Sequence, residues 1–220
     1  MTDIARIYEA KQQDYFRQVR TEILSMLPSR LDRVLEIGCG GGYTLEHLRA
    51  TGRCQWTCGV ELFPEAARLA EQRVDQIYQG NVEEMNLPLA PASIDAILCL
   101  DVLEHLIDPW AVIRKLHGLL KPGGVMIASI PNVRHLRVVL PLVFRGRWDY
   151  TPSGLLDKTH LRFFTKGSAI ALLESSGLHV DRVDATGMTG PRARLLNALT
   201  FSLARPWLEL QFLIRARRLG

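Results

Sequence analysis

The chain has 220 residues, 47% hydrophobic and 23% charged, a composition typical of a globular domain that excludes disordered and collagen-like chains. The formal net charge of +4 is unevenly distributed. Residues 1–131 carry 13 basic and 17 acidic side chains, whereas residues 132–220 carry 14 basic and 6 acidic ones, so the two parts have opposite charge.

The first residues, MTDIARIYEAKQQDYF, are charged and lack the apolar core of a signal peptide, which predicts a cytoplasmic protein. The most apolar segment, VVLPLVF at 138–144, is short and contains Pro141, so no membrane-spanning helix is expected. We expect the four cysteines to be reduced thiols of the core, as in other cytoplasmic proteins. They are Cys39, Cys54, Cys58 and Cys99.

Apolar residues recur at helical spacing from Ile4 to Met26, which predicts a helix that ends at Pro28. We interpret residues 1–28 as a helical lid. Short β-branched and leucine-rich runs then alternate with helical segments, a pattern that predicts a parallel sheet covered by helices on both faces. The predicted strands are 33–37, 55–61, 75–80, 93–100, 125–130, 178–184 and 208–217.

Helix starts are marked by Pro64, by Asp108-Pro109 and by Thr165, because a capping side chain or an early proline favours the first helical turn. The KPGG sequence at 121–124 is typical of a turn. Residues 132–164 interrupt the alternation and are rich in arginine and aromatic residues. We therefore predict one domain over 1–220, with a substrate-cap insertion at 132–164 after the fifth strand.

Three glycines, Gly38, Gly40 and Gly42, directly follow the first strand, where the backbone must approach a ligand closely. A dinucleotide fingerprint would need a glycine where Tyr43 stands. Glu36 would repel a pyrophosphate at this loop but suits a ligand that presents an ammonium group and no phosphate. These features favour S-adenosylmethionine as the cofactor.

Glu61 ends the second strand about twenty residues past the loop, where an acidic side chain accepts hydrogen bonds from ribose hydroxyls. Glu36 and Glu61 are therefore consistent with one cofactor site. The alternative is that Glu61 is a solvated strand end and that the glycines form an ordinary tight turn.

Five segments resemble class I, S-adenosylmethionine-dependent methyltransferases and occur in the order found in that family. They are LEIGCGGG, GVELF, GNVEEMNLP, IDAILCLDVLEHLIDP and LKPGGVMIASIPN. The resemblance implies an α/β, Rossmann-like, seven-stranded doubly wound sheet whose last strand is antiparallel. It also implies that Glu61 holds the ribose and that Leu62 packs on the adenine. Asn81, where the family most often has Asp, would recognise the adenine amino group, Val82 would cover the ring, and Leu100 and Asp101 would line the methionine moiety.

Two segments carry candidate catalytic residues. His105 follows the fourth strand at the carboxyl edge of the sheet, where open α/β folds bind ligands. In LLDKTHLRFFT, His160 has the residue type of a general base and Asp157 that of its orienting partner. Arg162 could neutralise an anion. The first alternatives are structural: His105 would only pack or cap the following segment, Asp157 would cap, and Arg162 would pair near the sheet edge. The other is a metal site, which would need a third convergent ligand. We predict no metal.

The segments expected to bind the methyl acceptor are less specific in sequence than the cofactor motifs. SIPNVRHL and LLDKTHLRFFT resemble bacterial methyltransferases that are often associated with polysaccharide and other glycan biosynthesis. We predict that Asn132, Arg134 and Arg162 contact the substrate. Tyr15 would contact it from the lid. The arginines Arg134, Arg137, Arg145 and Arg147 predict an anionic acceptor or contact with an anionic membrane surface at the inner membrane face; the alternative is a solvated basic face. No nucleic-acid-binding motif accompanies them, so no nucleic acid partner is predicted.

We therefore predict S-adenosylmethionine-dependent O-methylation of a sugar, a glycan-type or another anionic small-molecule acceptor. A quinone or lipid acceptor is the second enzymatic hypothesis. A non-catalytic module that binds S-adenosylmethionine is the alternative from another class. A nicotinamide oxidoreductase is opposed by Glu36 and Tyr43.

Overall fold

A single sheet organises the chain in a computed structural model that describes residues 18–187, 195 and 197–220. It has seven strands in the order β3-β2-β1-β4-β5-β7-β6. Strands β1 to β5 are parallel, and β7 runs antiparallel to both β5 and β6, which confirms the predicted fold class. The strands are β1 Leu31–Ile37, β2 Cys54–Glu61, β3 Gln76–Gln79, β4 Ile94–Leu100, β5 Leu120–Pro131, β6 Leu178–Thr186 and β7 Gln211–Arg218.

Helices cover both faces of the sheet. They are α1 Tyr43–Ala50, α2 Pro64–Ala70, α3 Pro109–Leu119, α4 Leu136–Arg145, α5 Lys166–Glu174 and α6 Arg205–Leu208. One core cluster joins the central strands to α3 and α5, for example through Leu116 and Leu172. The other joins them to α1 and α2, for example through Leu45 and Ala70. The cysteines are all buried and free, as expected.

Side chains start two helices where the sequence predicted them. The Asp108 carboxylate accepts the Ala111 N–H at 2.9 Å at the start of α3. Thr165 forms a capping box with Ser168 at the start of α5. These caps satisfy backbone donors that have no partner inside the first helical turn.

The predicted helix that ends at Pro28 is described only from residue 18, since residues 1–17 lie outside the described residues. Its described part differs from the prediction. Thr21–Ser25 form a short 3₁₀ helix instead of an α-helix. The Arg20 N–H donates to the Thr44 hydroxyl at 3.2 Å, which ties the chain to α1 instead of continuing a helical turn. The KPGG sequence also differs from its prediction, since it lies within β5, where the pairing with β4 shifts register.

Residues 132–164 follow β5 and lie outside the sheet, and the two ends of this segment lie side by side. Asn132 and Phe164 form an isolated bridge, and the Val133 N–H donates to the Phe164 carbonyl at 2.9 Å. The segment contains α4, which has Pro141 in its interior and ends at Gly146 in the left-handed conformation. The segment therefore lies between β5 and α5 outside the sheet, and the prediction that it is a substrate-cap insertion stays a prediction. No helix in the described part of the chain is both long and apolar enough to cross a bilayer.

The strand order creates a crevice at the carboxyl edge of the sheet. β1 lies between β2 and β4, so the connections that follow β1 and β4 run to opposite sides. In open α/β sheets such a switch point is where ligands bind. The functional residues should therefore lie at the carboxyl ends of β1, β2 and β4.

Close packing at Gly59 of β2 supports the glycine loop. A Cβ at this position would lie 2.4 Å from the Cys39 sulfur and 2.9 Å from Ile77 Cδ1. We expect Gly59→Ala to lower the free energy of unfolding by about 1–3 kcal/mol, because the core must be overpacked or the loop displaced. The matched control is Gly118→Ala in α3, where a Cβ meets no atom within 4 Å. Urea unfolding gives the free energy of unfolding of both variants. Equal values for Gly59→Ala and Gly118→Ala would contradict the packing argument.

Candidate functional site

A cavity of about 320 Å³ lies at the carboxyl ends of β1, β2 and β4. Nine of the ten residues predicted to bind the cofactor line it: Glu36, Gly38, Gly40, Glu61, Leu62, Asn81, Val82, Leu100 and Asp101. The tenth, Gly42, is not among its lining residues. The structure thus brings together residues that span more than sixty positions of the sequence.

The glycine loop requires a backbone that other residues adopt rarely. Gly38, Gly40 and Gly42 have φ values of 68°, 53° and 78°, in the left-handed region. Gly38 and Gly40 line the cavity, whereas a Cβ on Gly42 would lie 3.0 Å from Val74 and 3.3 Å from Ala70. Gly42 therefore permits the close packing of α1 on α2, and its predicted contact with the cofactor stays a prediction.

Glu61 ties the end of β2 to the glycine loop. Its carboxylate accepts the Gly40 N–H at 2.8 Å and the Phe63 N–H at 2.9 Å. The carboxyl is buried, and this burial raises its pKa above the ordinary value despite the two backbone donors. A carboxylate has about four lone-pair sites, so Glu61 can accept further hydrogen bonds from a diol.

Glu36 is the most unusual ionisable group of the cavity. It is 4% exposed, and burial raises the pKa of its carboxyl to about 8, with a smaller opposing effect of Arg20 and a further rise from Glu61. Within the described residues, its Oε2 atom has no hydrogen-bond partner. A buried acceptor without a donor is unfavourable, so a cationic, hydrogen-bonding ligand fits this position.

Arg20 is a cavity residue that the sequence analysis missed. Its guanidinium donates to Asp101 at 2.5 Å and to the Ser129 hydroxyl at 3.1 Å, and it pairs with Glu22. Burial opposes its protonation, but the two neighbouring carboxylates raise the pKa of Arg20 above its ordinary value. Nothing in the local sequence marks this arginine as a cavity residue, because Asp101 and Ser129 are 81 and 109 positions away.

Asp101 lies in a strained backbone conformation at the end of β4. Its φ of 57° is rare for a residue with a side chain. Arg20, Ser129 and Gln211 all donate to its carboxylate and hold it in place. Such strain of about 1–3 kcal/mol is found mainly at functional sites.

On the opposite side of the cavity, Leu62 is 48% exposed and Val82 is buried, so each offers an apolar surface. The Asn81 side-chain oxygen, predicted to accept from an adenine amino group, accepts the Glu83 N–H at 2.9 Å. An amide oxygen has two lone pairs, so the predicted contact remains compatible with this turn.

A second cavity, of about 900 Å³, lies beside the first. Asp101 and His105 line both cavities. Other walls come from β5, α4, residues 149–160 and the start of β7, and several are apolar: Pro131, Val138, Pro141, Pro152, Leu155, Leu156 and Leu210. A ligand in the second cavity can therefore meet a ligand in the first at Asp101 and His105.

The structure brings His105 and His160 together at this junction. Their ring centroids are 4.7 Å apart in an edge-to-face arrangement. His105 Nδ1 lies 3.1 Å from the Thr159 carbonyl, and His160 Nδ1 lies 3.2 Å from the Leu155 carbonyl. A carbonyl only accepts, so each Nδ1 carries the proton, and each Nε2 is left as the basic nitrogen.

Asp157 is buried near the pair and lines the second cavity. Its Oδ1 accepts the Thr159 N–H at 2.9 Å and the Thr159 hydroxyl at 2.7 Å. This bonding fixes the turn that carries His160 and positions Thr159, whose carbonyl faces His105. The capping alternative is thus observed, and a role for Asp157 in orienting the base stays a prediction.

Three predicted substrate contacts have other partners. Asn132 is fully buried, and its amide donates to the Pro206 and Glu209 carbonyls, which contradicts contact with a substrate. Arg134 stacks over Trp207 at 4.4 Å, and Arg162 donates to the Ile107 carbonyl. Neither arginine is among the lining residues of the two cavities. Tyr15 lies outside the described residues.

Arg137 and Arg147 line the second cavity, whereas Arg145 is not among its lining residues. Arg147 also forms an exposed ion pair with Asp149 at 2.8 Å. Of the basic segment noted in the sequence, these two arginines are therefore the ones placed to meet an anion in this cavity.

The raised pKa of Glu36 predicts a pH-dependent stability. Because the folded chain keeps a proton that the unfolded chain releases near pH 4.5, the free energy of unfolding should fall as the pH rises from about 5 to 8. We expect Glu36→Gln to remove part of this decline, on the order of 1–3 kcal/mol, while Glu61 retains the rest. Urea unfolding at both pH values tests this, with exposed Glu65→Gln as the control. Parallel pH profiles for wild type and Glu36→Gln would contradict it.

Comparison with known proteins agrees with this geometry. A profile of the methyltransferase domain family matches residues 8–183. The ubiquinone biosynthesis O-methyltransferase of Xylella fastidiosa (strain 9a5c) is 33% identical over 178 residues, which are 77% of this chain and 70% of that relative. That of Aeromonas salmonicida is 30% identical over 155 residues, which are 67% of this chain. The chain spans about 63% of the length of this second relative.

Solved structures show the same fold. A SAM-dependent methyltransferase from Archaeoglobus fulgidus superposes with a TM-score of 0.70 at 17% identity, over 98% of this chain and 100% of that one. One from Mesorhizobium loti gives 0.63 at 17% identity, over 94% and 99%. The profile match covers most of the sequence, and the buried Glu36 in the first cavity suits a cofactor with an ammonium group. The chain therefore belongs to the methyltransferase domain family, and it has the fold of S-adenosylmethionine-dependent methyltransferases.

Proposed function

We propose that this enzyme methylates a hydroxyl oxygen of an anionic small molecule that binds in the second cavity. The observation that carries the proposal is that Asp101 and His105 line both cavities. The donor and the acceptor would thus meet at this shared wall. Positioning of two reactants can supply about 7–11 kcal/mol of a reaction barrier, so the shared wall matters more than any single group.

Residues of the first cavity hold the cofactor in this proposal. Glu36 faces its ammonium group, Glu61 accepts from the ribose hydroxyls, and Leu62 and Val82 enclose the adenine. The close backbone of Gly38 and Gly40 leaves room for the ligand. When bound, S-adenosylmethionine supplies a sulfonium methyl group, whose C–S bond breaks as the new C–O bond forms and whose bonding electrons return to sulfur.

His105 takes the hydroxyl proton at Nε2, because its Nδ1 proton is directed to the Thr159 carbonyl. His160 lies beside it and receives the proton in turn or shares it. Asp157 acts as a positioning residue through the turn at Thr159. Such general-base assistance adds about 10²–10⁴-fold to a rate.

Arg137 and Arg147 bind the anionic group of the acceptor. Their guanidinium groups can pair with a carboxylate or a phosphate, and the apolar walls enclose the rest of the molecule. The ion pair of Arg147 with exposed Asp149 would be exchanged for the ligand at little loss, since surface pairs contribute about 0–1 kcal/mol.

The relatives' name favours oxygen as the methylated atom and, within this class, an acceptor of the quinone type. The apolar walls of the second cavity support this choice over a sugar, which would need many polar partners. The glycan acceptor predicted from the sequence has no support in these relatives. The exposed apolar residues Val143 and Phe144 of α4, beside Arg145, also suit contact with an anionic membrane surface.

The test replaces the two cavity arginines after the acceptor is found by mass spectrometry of extracts incubated with methyl-labelled cofactor. We expect Arg137→Gln combined with Arg147→Gln to raise the KM for the acceptor at least tenfold and to reduce its salt dependence. Arg145→Gln is the matched control and should keep the wild-type values. An unchanged KM in the double variant, or a product that is not methylated at oxygen, would overturn the proposal.

A further inference from the structure

Gln211 brings an amide group to the wall of the second cavity. It is the first residue of β7, and it lines the second cavity but not the first. Because β7 runs antiparallel to β5, Gln211 pairs with Pro131, the last residue of β5. The reversed strand thus begins at the carboxyl edge of the parallel strands, where ligands bind in open α/β sheets.

Asp101 fixes the orientation of this amide. Gln211 Nε2 donates to Asp101 Oδ1. An ionised carboxylate only accepts hydrogen bonds, so the nitrogen of the Gln211 amide faces Asp101 and the oxygen lies on the other branch. The orientation therefore follows from the partner, and a ligand in the cavity meets an acceptor on Gln211.

The Gln211 oxygen is available to a ligand. Within the described part of the chain, the Gln211 side chain donates to Asp101 and accepts no hydrogen bond. The residue is half-buried, so a molecule that fills the cavity would take the oxygen out of water. A covered acceptor without a donor is unfavourable, and the bound molecule should therefore supply a donor at this place.

We propose that Gln211 Oε1 accepts a hydrogen bond from the acceptor hydroxyl that is methylated, an inference that rests on the proposed function. Asp101, which orients the amide, lines both cavities, so Gln211 holds the hydroxyl near the place where the two ligands meet. A hydroxyl turns about its C–O bond to suit its partner. Gln211 thus holds the hydroxyl on binding, and the hydroxyl turns to His105 when its proton is removed.

This contact would distinguish the acceptor from its methylated product. Methylation replaces the hydroxyl proton with a methyl group, and the resulting ether has no donor for Gln211. A site built to hydrogen-bond a hydroxyl rejects an analogue that lacks it, because the polar group of the site is left unpaired. The product should therefore bind more weakly than the acceptor and inhibit the enzyme little. A carbonyl oxygen at this position would be rejected for the same reason.

Ser129 separates a direct contact of Gln211 from its support of Asp101. The Ser129 hydroxyl also donates to Asp101, at 3.0 Å, but the residue is fully buried and lines neither cavity. Ser129 can therefore affect a ligand only through Asp101, whereas Gln211 can touch it. A preference for hydroxyl groups should depend on Gln211 and not on Ser129.

The test uses two aromatic carboxylates that differ by one methyl group, 4-hydroxybenzoate and 4-methoxybenzoate. Calorimetry measures their binding to the whole 220-residue chain saturated with S-adenosylhomocysteine, which has no methyl group to transfer. We expect wild type to bind 4-hydroxybenzoate at least about tenfold more tightly than 4-methoxybenzoate. Gln211→Met, which keeps the length of the side chain and removes the amide, should reduce this ratio to about one by weakening only 4-hydroxybenzoate.

The control is Ser129→Ala, which should change the binding of both probes by the same factor and so keep their ratio. Binding of S-adenosylhomocysteine shows that each variant is folded. The role of Gln211 would be overturned if wild type showed no preference for 4-hydroxybenzoate, if the preference persisted in Gln211→Met, or if Ser129→Ala abolished it.

A further variant tests the proposed function separately. Arg137→Gln combined with Arg147→Gln should weaken both probes alike, because both carry the carboxylate. If this double variant bound both probes as tightly as wild type, the anionic acceptor of the proposed function would be contradicted. The ratio between the two probes would still report on Gln211.

Discussion

Two carboxylates buried at the carboxyl ends of neighbouring strands set the main constraint on this molecule. Glu36 on β1 and Glu61 on β2 are each 4% exposed, and burial raises the pKa of both. Glu61 is compensated by backbone donors of the glycine loop, whereas Glu36 Oε2 has no partner within the described residues. The fold therefore keeps an unsatisfied acceptor where a cationic cofactor can satisfy it, and part of its stability is given up for binding.

The switch point of the sheet explains why these groups face a cavity. Strand β4 enters on the other side of β1, and its end carries Asp101 in a strained conformation. Arg20, Ser129 and Gln211 hold Asp101 from three different elements. Because Asp101 and His105 line both cavities, the short segment after β4 forms part of the wall of each.

Residues 132–164, which follow β5, form much of the wall of the second cavity. This segment supplies Arg137 and Arg147 to that wall, and it places His160 beside His105. Its backbone is fixed to the rest of the domain at Asn132 and at Glu104. The basic charge of the second part of the sequence is therefore divided between arginines of this cavity and arginines that stabilise the fold, such as Arg134 over Trp207.

The sequence predicted the features that depend on residues close to one another along the chain. Strand and helix alternation predicted the parallel sheet. The spacing of Glu36, the glycines and Glu61, together with the resemblance to class I methyltransferases, identified nine of the residues that line the first cavity. It could not predict the place of Arg20 in the cavity, because Asp101 and Ser129, which hold it there, are distant in the sequence. Asn132 and Arg162 are polar residues in a motif-like segment, but their bonds to backbone carbonyls depend on tertiary packing. Glu104 precedes His105 directly, yet only the fold brings His160 to them.

The proton balance of cofactor binding tests most directly whether Glu36 is the acceptor for the cofactor's positive charge. Calorimetric titration of S-adenosylmethionine at pH 7, in two buffers with different ionisation enthalpies, gives the number of protons released per chain. Because the pKa of Glu36 is about 8 before binding, wild type should release up to about one proton more than Glu36→Gln. Equal proton release by the two proteins would contradict this account.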